Sequence, residues 1–169
     1  FRVPRAQWGF ASSPIIHEGV VLIQCDVLKH SFLAAIELET GKTLWKKPRN
    51  DLPAWSSPAV YGEGDKTQVL LNGYRHIGGY DFRTGAELWR FRGGGDIPVP
   101  TPVTGHGLAF ITNAHGKLAP IYAIKLDSRG DVSLKDGKAS SAQVPWSVNR
   151  GGAYMQTPIV YGDYFYNCR

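Results

Sequence analysis

The segment Thr40-Gly41-Lys42-Thr43-Leu44-Trp45 recurs as Thr84-Gly85-Ala86-Glu87-Leu88-Trp89, so the two tryptophans stand 44 residues apart. Ser/Thr-Pro pairs repeat on the same interval, at Ser13-Pro14, Ser57-Pro58 and Thr101-Pro102, and Thr157-Pro158 follows 56 residues after the third. A period of this length indicates one supersecondary unit copied along the chain. The chain is therefore a repeat array.

Each unit contains short apolar runs rich in β-branched and aromatic residues, with Gly, Pro, Asp or Asn between them. Such runs predict strands, because helices need longer segments with a 3.6-residue period. Four strands in a unit of about 40–45 residues predict one blade of a β-propeller. The predicted fold is all-β: an incomplete propeller of four-stranded antiparallel blades, with units at about 12–48, 56–92 and 100–149 and a truncated blade at 156–169. About twelve extra residues around 128–144 enlarge the third unit.

The Thr-Gly pair has a local structural reason. The turn between the third and fourth strands of a blade needs a residue that accepts a positive φ, and glycine does so without a Cβ clash. A Thr or Asp before it can bond the turn backbone. The tryptophan that follows is predicted to pack against a neighbouring blade.

The turn segments resemble a known repeat, Ala-x-Asp-x-x-Thr-Gly-x-x-x-Trp, which defines β-propellers of the PQQ-type (quinoprotein-like) family. The matches run from Ala35 to Trp45 and from Gly79 to Trp89, whereas the third copy has Lys125 in place of the Asp and lacks Thr-Gly. Overall the chain is similar to the BamB-like secreted bacterial propellers. That resemblance implies a scaffold role and a periplasmic or secreted location.

The resemblance also implies a closed ring of seven or eight blades, whereas this chain holds three full units and the start of a fourth. Phe1 stands as far before Ser13 as Trp45 stands before Ser57, so both ends are expected to cut through a blade. We therefore expect a fragment of about three and a half blades. Because open sheet edges invite pairing, we also expect self-association through the end blades.

Composition excludes several classes of protein. The net charge is +5, but the Lys and Arg residues are scattered and no nucleic-acid-binding motif accompanies them. No apolar stretch approaches the 18 residues that a membrane span requires. Cys25 and Cys168 fall three blades apart, too far for the Cα separation of about 7 Å that a disulfide allows. Both are expected to be buried or half-buried free thiols.

Propeller strands alternate in direction, so the loops between the second and third strands emerge on the same face as the connections between blades. Loops on a rigid scaffold are where binding residues concentrate. Arg5, Arg49, Asp51 and Asp96 are expected on this face. The candidate binding residues are Trp8, His30, Trp55, His76, His115 and Arg150.

The three histidines occur one per blade. Because adjacent sheets stand about 10 Å apart, three imidazoles cannot converge on one metal ion, and we expect no metal site. Nucleophile-elbow, phosphate-loop and zinc-protease motifs are also absent from the sequence. No catalytic residue is assigned.

The leading prediction is a non-catalytic binding or scaffold module that presents its loops to a protein, peptide or glycan. The alternative is a piece of a PQQ-dependent quinoprotein oxidoreductase. The family resemblance implies that such enzymes hold PQQ against a pair of adjacent cysteines and bind calcium through acidic and amide groups. This sequence has no adjacent cysteines, so we expect no cofactor in this segment, and under the alternative those residues lie outside it. A domain of a larger sensor or kinase remains a third possibility.

Overall fold

The computed structural model describes residues 8–135 and 137–169, and these form successive antiparallel sheets. The first blade contains β1 (Ile15–His17), β2 (Val20–Cys25), β3 (Phe32–Glu37) and β4 (Thr43–Pro48), hydrogen-bonded in chain order. The second contains β5 (Ala59–Tyr61), β6 (Gln68–Leu71), β7 (His76–Asp81) and β8 (Glu87–Arg92). A single 3₁₀ turn, Gly64–Lys66, lies between β5 and β6.

The third blade contains β9 (Val103–Gly105), β10 (Leu108–Thr112), β11 (Ile121–Lys125) and β13 (Trp146–Val148), while β12 (Gly130–Asp131) pairs elsewhere. The fourth sheet is the hairpin of β14 (Ile159–Tyr161) and β15 (Tyr164–Tyr166). The sheets form an open, partial β-propeller, which confirms the predicted fold class. Within the described ranges, no helix has the length and apolar character needed to cross a membrane.

The two Thr-Gly turns have the predicted geometry. Gly41 and Gly85 adopt φ values of +71° and +68°. The Gly85 amide donates to the Asp81 carbonyl at 2.8 Å, and the Thr84 hydroxyl donates to the Asp81 carboxylate at 2.6 Å. The acidic residue of the repeat thus accepts a hydrogen bond from the hydroxyl of the threonine three residues later, and this bond stabilises the turn.

The core lies between the blades. One buried cluster joins blade 1 to blade 2 through Leu22, Leu33, Val69 and Phe82, and Trp45 packs against it. The Trp45 indole N–H donates to the Phe82 carbonyl of the next blade at 3.0 Å. This contact agrees with the predicted inter-blade role of the repeat tryptophan.

Trp89 has the same role one blade later. It is fully buried in a cluster with Ala109, Ile111 and Ile124 of blade 3. Its indole N–H donates to the Gln68 side chain at 3.0 Å, so the polar atom of this buried ring is satisfied.

The enlarged third unit departs from the prediction of four strands per blade. Its strand β12 pairs in parallel with β8 of blade 2, placing Gly130 opposite Trp89 and making a five-stranded sheet. Val132 and Val144 flank this addition and are both buried in the core between blades 2 and 3. The insertion therefore covers a sheet edge that would otherwise offer unpaired backbone groups to other chains.

The fourth sheet packs on blade 3 through Phe110 and Phe165, whose rings stack with centroids 5.1 Å apart. Its hairpin also leaves large aromatic surface open, with Tyr161 75% exposed and Tyr164 68% exposed. The expected self-association through such edges remains a prediction.

Both cysteines are free thiols, with Cys25 buried and Cys168 exposed. The expectation that both would be at least half-buried was therefore wrong for Cys168, because β15 carries no described neighbouring strand on that side.

Candidate binding face

One surface, the loop face, comprises two sets of loops. The connections between blades are residues 8–14, 49–58, 93–102 and 149–158, and the loops between the second and third strands are residues 26–31, 72–75 and 113–120. Contacts between the two sets of loops place them on one side of the propeller. The Asp51 carboxylate accepts from the Arg75 amide at 2.8 Å, and the Gly152 amide donates to the Ala119 carbonyl at 2.8 Å. The loops therefore share one side, whereas a binding role for that side remains a prediction.

A buried ionic network supports this face between blades 1 and 2. Arg49 donates from Nε to Asp26 at 2.7 Å, from Nη2 to Asp51 at 3.0 Å and from Nη1 to the Tyr80 hydroxyl at 2.6 Å. The three charged side chains are almost inaccessible, with exposures of 4% for Arg49, 0% for Asp26 and 1% for Asp51. One guanidinium therefore connects two carboxylates and the third strand of the next blade.

This network corrects the sequence analysis, which placed Arg49 and Asp51 among the exposed groups of the binding face. Burial raises the pKa of the Asp26 carboxyl above its ordinary value, while the Arg49 guanidinium opposes that rise. Burial lowers the pKa of Arg49, but Asp26 and its hydrogen bonds outweigh this and raise it overall. These residues hold the blades together and do not face a partner.

His76 is drawn into the same network through its backbone. It is the first residue of β7, is only half-buried, and its amide lies 3.3 Å from the Asp51 carboxylate. The structure therefore places this histidine at a strand start and not within a free loop. A small cavity of about 300 Å³ beside it is lined by Arg49, Tyr80 and Glu87.

Buried amides extend the connection from blade 1 to blade 3. The Gln24 side chain donates to the Asn72 carbonyl at 2.8 Å. Asn72 and Asn113 exchange two side-chain hydrogen bonds, at 2.9 and 3.0 Å. Because these side chains are almost fully buried and bonded across blades, the base of the loop face is rigid.

Trp8 and Trp55 lie together above that base. Their ring centroids are 5.4 Å apart at an interplanar angle of 70°, an edge-to-face pair. The Trp55 indole N–H donates to the Gly9 carbonyl at 3.1 Å, which fixes Trp55, while Trp8 remains 56% exposed. The structure thus brings two of the six candidate residues into contact.

His115 forms a second group. Its Nδ1 lies 2.7 Å from the Asp96 carboxylate, and its ring is 5.5 Å from that of Tyr154. Arg150 is exposed, and among the described residues no hydrogen bond or ion pair engages its side chain. Its backbone forms a bridge with Ala119.

His30 stands apart at an exposed loop position with a φ of +66°. The six candidate residues therefore do not form one cluster: Trp8 pairs with Trp55, His115 pairs with Asp96, and the other three are separate. Within residues 8–135 and 137–169, no three His, Cys, Asp or Glu side chains are grouped as a metal site would need. Phe1 and Arg5, also singled out in the sequence, lie outside the described residues.

The loop face also carries a set of exposed apolar residues that were not predicted from the sequence. These are Leu28, Tyr74, Leu118, Tyr154 and Met155, with exposures from 37% to 63%. Leu28, Tyr74, Leu118 and Met155 each lie in a loop next to Gly, Lys, Arg or Gln, so an apolar residue inside a polar loop was the available signal for these four. Apolar side chains on several loops of one face are typical of an interaction surface.

The described residues do not fit the quinone arrangement implied by the family resemblance. Cys25 lies in β2 and Cys168 follows β15, so no adjacent-cysteine ring can form from these two residues. The Asp26 and Asp51 carboxylates are already engaged by Arg49, by the Gln24 side chain and by backbone amides, and offer no free oxygen pair to calcium.

The sheets form a partial β-propeller, and comparison with solved structures agrees with that fold. Quinohemoprotein alcohol dehydrogenase from Comamonas testosteroni matches with a TM-score of 0.55 and 15% identity, over 82% of this chain and 20% of that chain. BamB from Moraxella catarrhalis matches with a TM-score of 0.57 and 18% identity, over 92% of this chain and 44% of that chain.

A europium-containing methanol dehydrogenase matches with a TM-score of 0.56 and 10% identity, over 72% of this chain and 24% of that chain. No protein-family model and no curated protein matches the chain. At these identities the likeness concerns the fold alone, and the chain spans less than half the length of each of the three structures.

Proposed function

We propose that this chain is part of a non-catalytic binding module whose loop face engages a protein, peptide or glycan partner. The observation that carries the proposal is the set of exposed aromatic and aliphatic side chains on that face, from Trp8 at one side to Tyr154 and Met155 at the other. Large aromatic side chains with an open face are the residues most often responsible for binding energy at interfaces.

The buried hydrogen bonds beneath these side chains favour a binding role for the face. Arg49, Asn72 and Asn113 connect neighbouring blades through buried hydrogen bonds, so the loops are held before a partner arrives. A preorganised surface loses less conformational entropy on association, which strengthens binding for a given contact area. Arg150 adds an exposed cation to the same face, a residue type enriched at such interfaces.

The fold likeness to BamB supports a protein partner and a periplasmic or secreted location, and both belong to this proposal. The test is affinity capture from a periplasmic extract on immobilised protein, combined with a glycan array. Trp8→Ala and Arg150→Ala should each reduce capture at least fivefold without changing the unfolding midpoint. Tyr161→Ala, an aromatic residue of greater exposure outside the loop face, is the matched control and should leave capture unchanged.

Two results would refute the proposal: equal loss of capture in all three variants, or a fall in stability in Trp8→Ala that accounts for the whole loss. In the second case the tryptophan pair would be a packing feature. Trp55→Ala is less informative, because its indole N–H also fixes the backbone of Gly9.

The second candidate is a quinoprotein oxidoreductase of which this chain would be a part. The fold likeness to two dehydrogenases favours it. Under this candidate PQQ and calcium bind through residues outside the segment. Titration of this chain with PQQ and calcium should then give no saturable change in tryptophan fluorescence. Saturable binding at micromolar PQQ would contradict this placement of the cofactor residues and would also count against the binding module.

A further inference from the structure

Charge is distributed unequally between the two ends of the strands. The loop face carries five cations against three carboxylates, and these are Lys29, Arg49, Arg75, Lys117 and Arg150 against Asp26, Asp51 and Asp96. The opposite ends of the strands carry four cations against six carboxylates, in the turns at residues 18–19, 38–42, 62–67, 82–86, 106–107, 126–129 and 162–163. The loop face is therefore the side of the chain that attracts negative charge.

The exposed part of the loop face is more cationic than this count indicates. Asp26 and Asp51 are buried beneath it and bound by a buried guanidinium. Asp96 is the one carboxylate that the described loops of this face expose, and it already contacts a histidine. The Arg75 guanidinium donates to the neutral Asn50 side chain at 2.8 Å, which leaves its charge uncompensated. Four exposed cations of this face have no ion pair with a described carboxylate, namely Lys29, Arg75, Lys117 and Arg150.

Each loop between the second and third strands of a blade places one of these cations beside an exposed apolar residue. The pairs are Leu28-Lys29 in blade 1, Tyr74-Arg75 in blade 2 and Lys117-Leu118 in blade 3. The apolar members are 62%, 37% and 55% exposed, in that order. Because packed sheets stand about 10 Å apart, the three pairs form a row with that interval across the face. A ligand that follows the row meets a cation and an apolar side chain at every step.

We infer that the loop face binds an elongated protein segment in which acidic and apolar side chains alternate. This inference rests on the proposed function and names the chemistry of its partner. An extended peptide rises about 3.3 Å per residue, so one acidic and one apolar residue in every three match the interval between blades. Its carboxylates pair with the three loop cations, and its apolar side chains cover the three apolar residues beside them. Such complementary charge steers the partner onto this side of the molecule.

Two other anionic partners fit this face less well. A lipid surface would bring its anionic headgroups against the exposed Asp96 carboxylate, whereas a peptide can place a donor there. A nucleic acid would stack its bases on rings beside the cations, but in two of the three loops the residue beside the cation is a leucine. A peptide supplies both the acidic and the aliphatic side chains that the row requires.

The test is fluorescence anisotropy with a labelled peptide of Glu-Leu-Ser repeated four times. Two reference peptides separate its contributions, because Gln-Leu-Ser repeats keep the apolar side chains without the charge and Glu-Ser-Ser repeats keep the charge without the apolar side chains. The Glu-Leu-Ser peptide should bind at least tenfold more tightly than either reference. Its affinity should fall as the salt concentration rises, since the paired charges are exposed.

Charge reversal locates the site on the molecule. The double variant K29E/K117E should bind the Glu-Leu-Ser peptide at least tenfold more weakly than the unmodified chain. The matched control, K42E/K125E, makes the same change in net charge at exposed lysines of the opposite ends of the strands. It should bind the peptide within threefold of the unmodified chain.

The apolar members of the row have their own pair of variants. L28S/L118S should weaken binding at least fivefold. Its control, L38S/L44S, changes two leucines that are each 47% exposed and lie at the opposite ends of the strands, and it should bind within twofold of the unmodified chain. Because all four leucines are exposed, neither double variant should lower the unfolding midpoint appreciably. These variants also serve if K29E/K117E fails to fold.

Five results would each overturn the inference. These are equal binding of the three peptides, an equal loss in K29E/K117E and K42E/K125E, full binding by L28S/L118S, tighter binding to phosphatidylserine vesicles than to the Glu-Leu-Ser peptide, and tighter binding to oligothymidine than to that peptide. The last two would indicate a lipid or a nucleic-acid partner.

The inference and the proposed function fail separately. If capture from the extract depends on Trp8 and Arg150 while the Glu-Leu-Ser peptide does not bind, the binding module stands and the acidic partner is refuted. If the peptide does not bind and capture is equally lost in the Tyr161→Ala control, both are refuted.

Discussion

Adding one methyl group at each of the two repeat turns should have unequal effects. Gly41 and Gly85 occupy equivalent positions with nearly equal φ values of +71° and +68°. A Cβ at Gly41 would meet nothing within 4 Å, whereas a Cβ at Gly85 would lie 2.6 Å from the Trp45 ring of the preceding blade. The pair therefore separates the cost of backbone conformation from the cost of inter-blade packing.

The magnitudes follow from the structure. A left-handed conformation costs an alanine roughly 1–2 kcal/mol relative to glycine, and the restricted unfolded chain returns about 0.4–1 kcal/mol. Gly41→Ala should therefore destabilise by about 1 kcal/mol. Gly85→Ala adds overpacking of about 1–3 kcal/mol against the Trp45 ring, so its total should be about 3 kcal/mol.

Urea unfolding followed by tryptophan fluorescence would measure both variants. A Trp45→Ala background supplies the control, because removing the ring should make the second methyl no more costly than the first. The expected coupling energy between Gly85→Ala and Trp45→Ala is about 2 kcal/mol in the direction of rescue. Equal effects of the two glycine substitutions, within about 0.5 kcal/mol, would refute the inter-blade contact.

Three further predictions concern buried groups. Arg49→Met should lower the free energy of unfolding by about 3–5 kcal/mol, because it leaves two buried carboxylates unpaired; a loss below about 1 kcal/mol in urea unfolding would contradict the network. Val132→Ala should cost about 2 kcal/mol, since it removes two methyl groups from the core, whereas Val148→Ala, 40% exposed, should cost under about 0.5 kcal/mol. Burial first, and a neighbouring carboxylate second, raise the pKa of the Cys25 thiol to about 11. At pH 8 a thiol reagent should therefore modify one thiol at once, the exposed Cys168, and the second only on unfolding. The buried Cys25 thiol should contribute its full stabilisation below about pH 9. That stabilisation should decline as pH rises toward 11, because the thiol of the unfolded chain ionises first.

The repeat turns were predictable because their cause is local. A glycine at positive φ, an acidic residue that accepts from the threonine, and a tryptophan at the fixed interval each follow from neighbouring residues. The same local logic predicted the strands and the common side on which the loops emerge. Trp8 and Trp55 could be singled out because they fall outside the repeat register.

The buried ionic network was not predictable in this way. Two strands, β3 and β4, separate Asp26 from Arg49 and Asp51 in the chain, and charged residues between strands are usually solvated. Only the packing of blade 1 on blade 2 closes Arg49 off from water and brings Tyr80 to it. The pairing of β12 with blade 2 has the same origin, because a two-residue strand carries no periodic signal of its own.

The sequence by itself determined the repeat, the strand chemistry and the Thr-Gly turns of the first two blades, because these depend on contacts within a few residues. The tertiary structure decided which charged side chains are buried, which sheet edge the insertion covers and which histidines contact other side chains. The physical reason is that the burial and pairing of polar groups depend on which blades pack together. The spacing of two residues along the chain does not predict that packing.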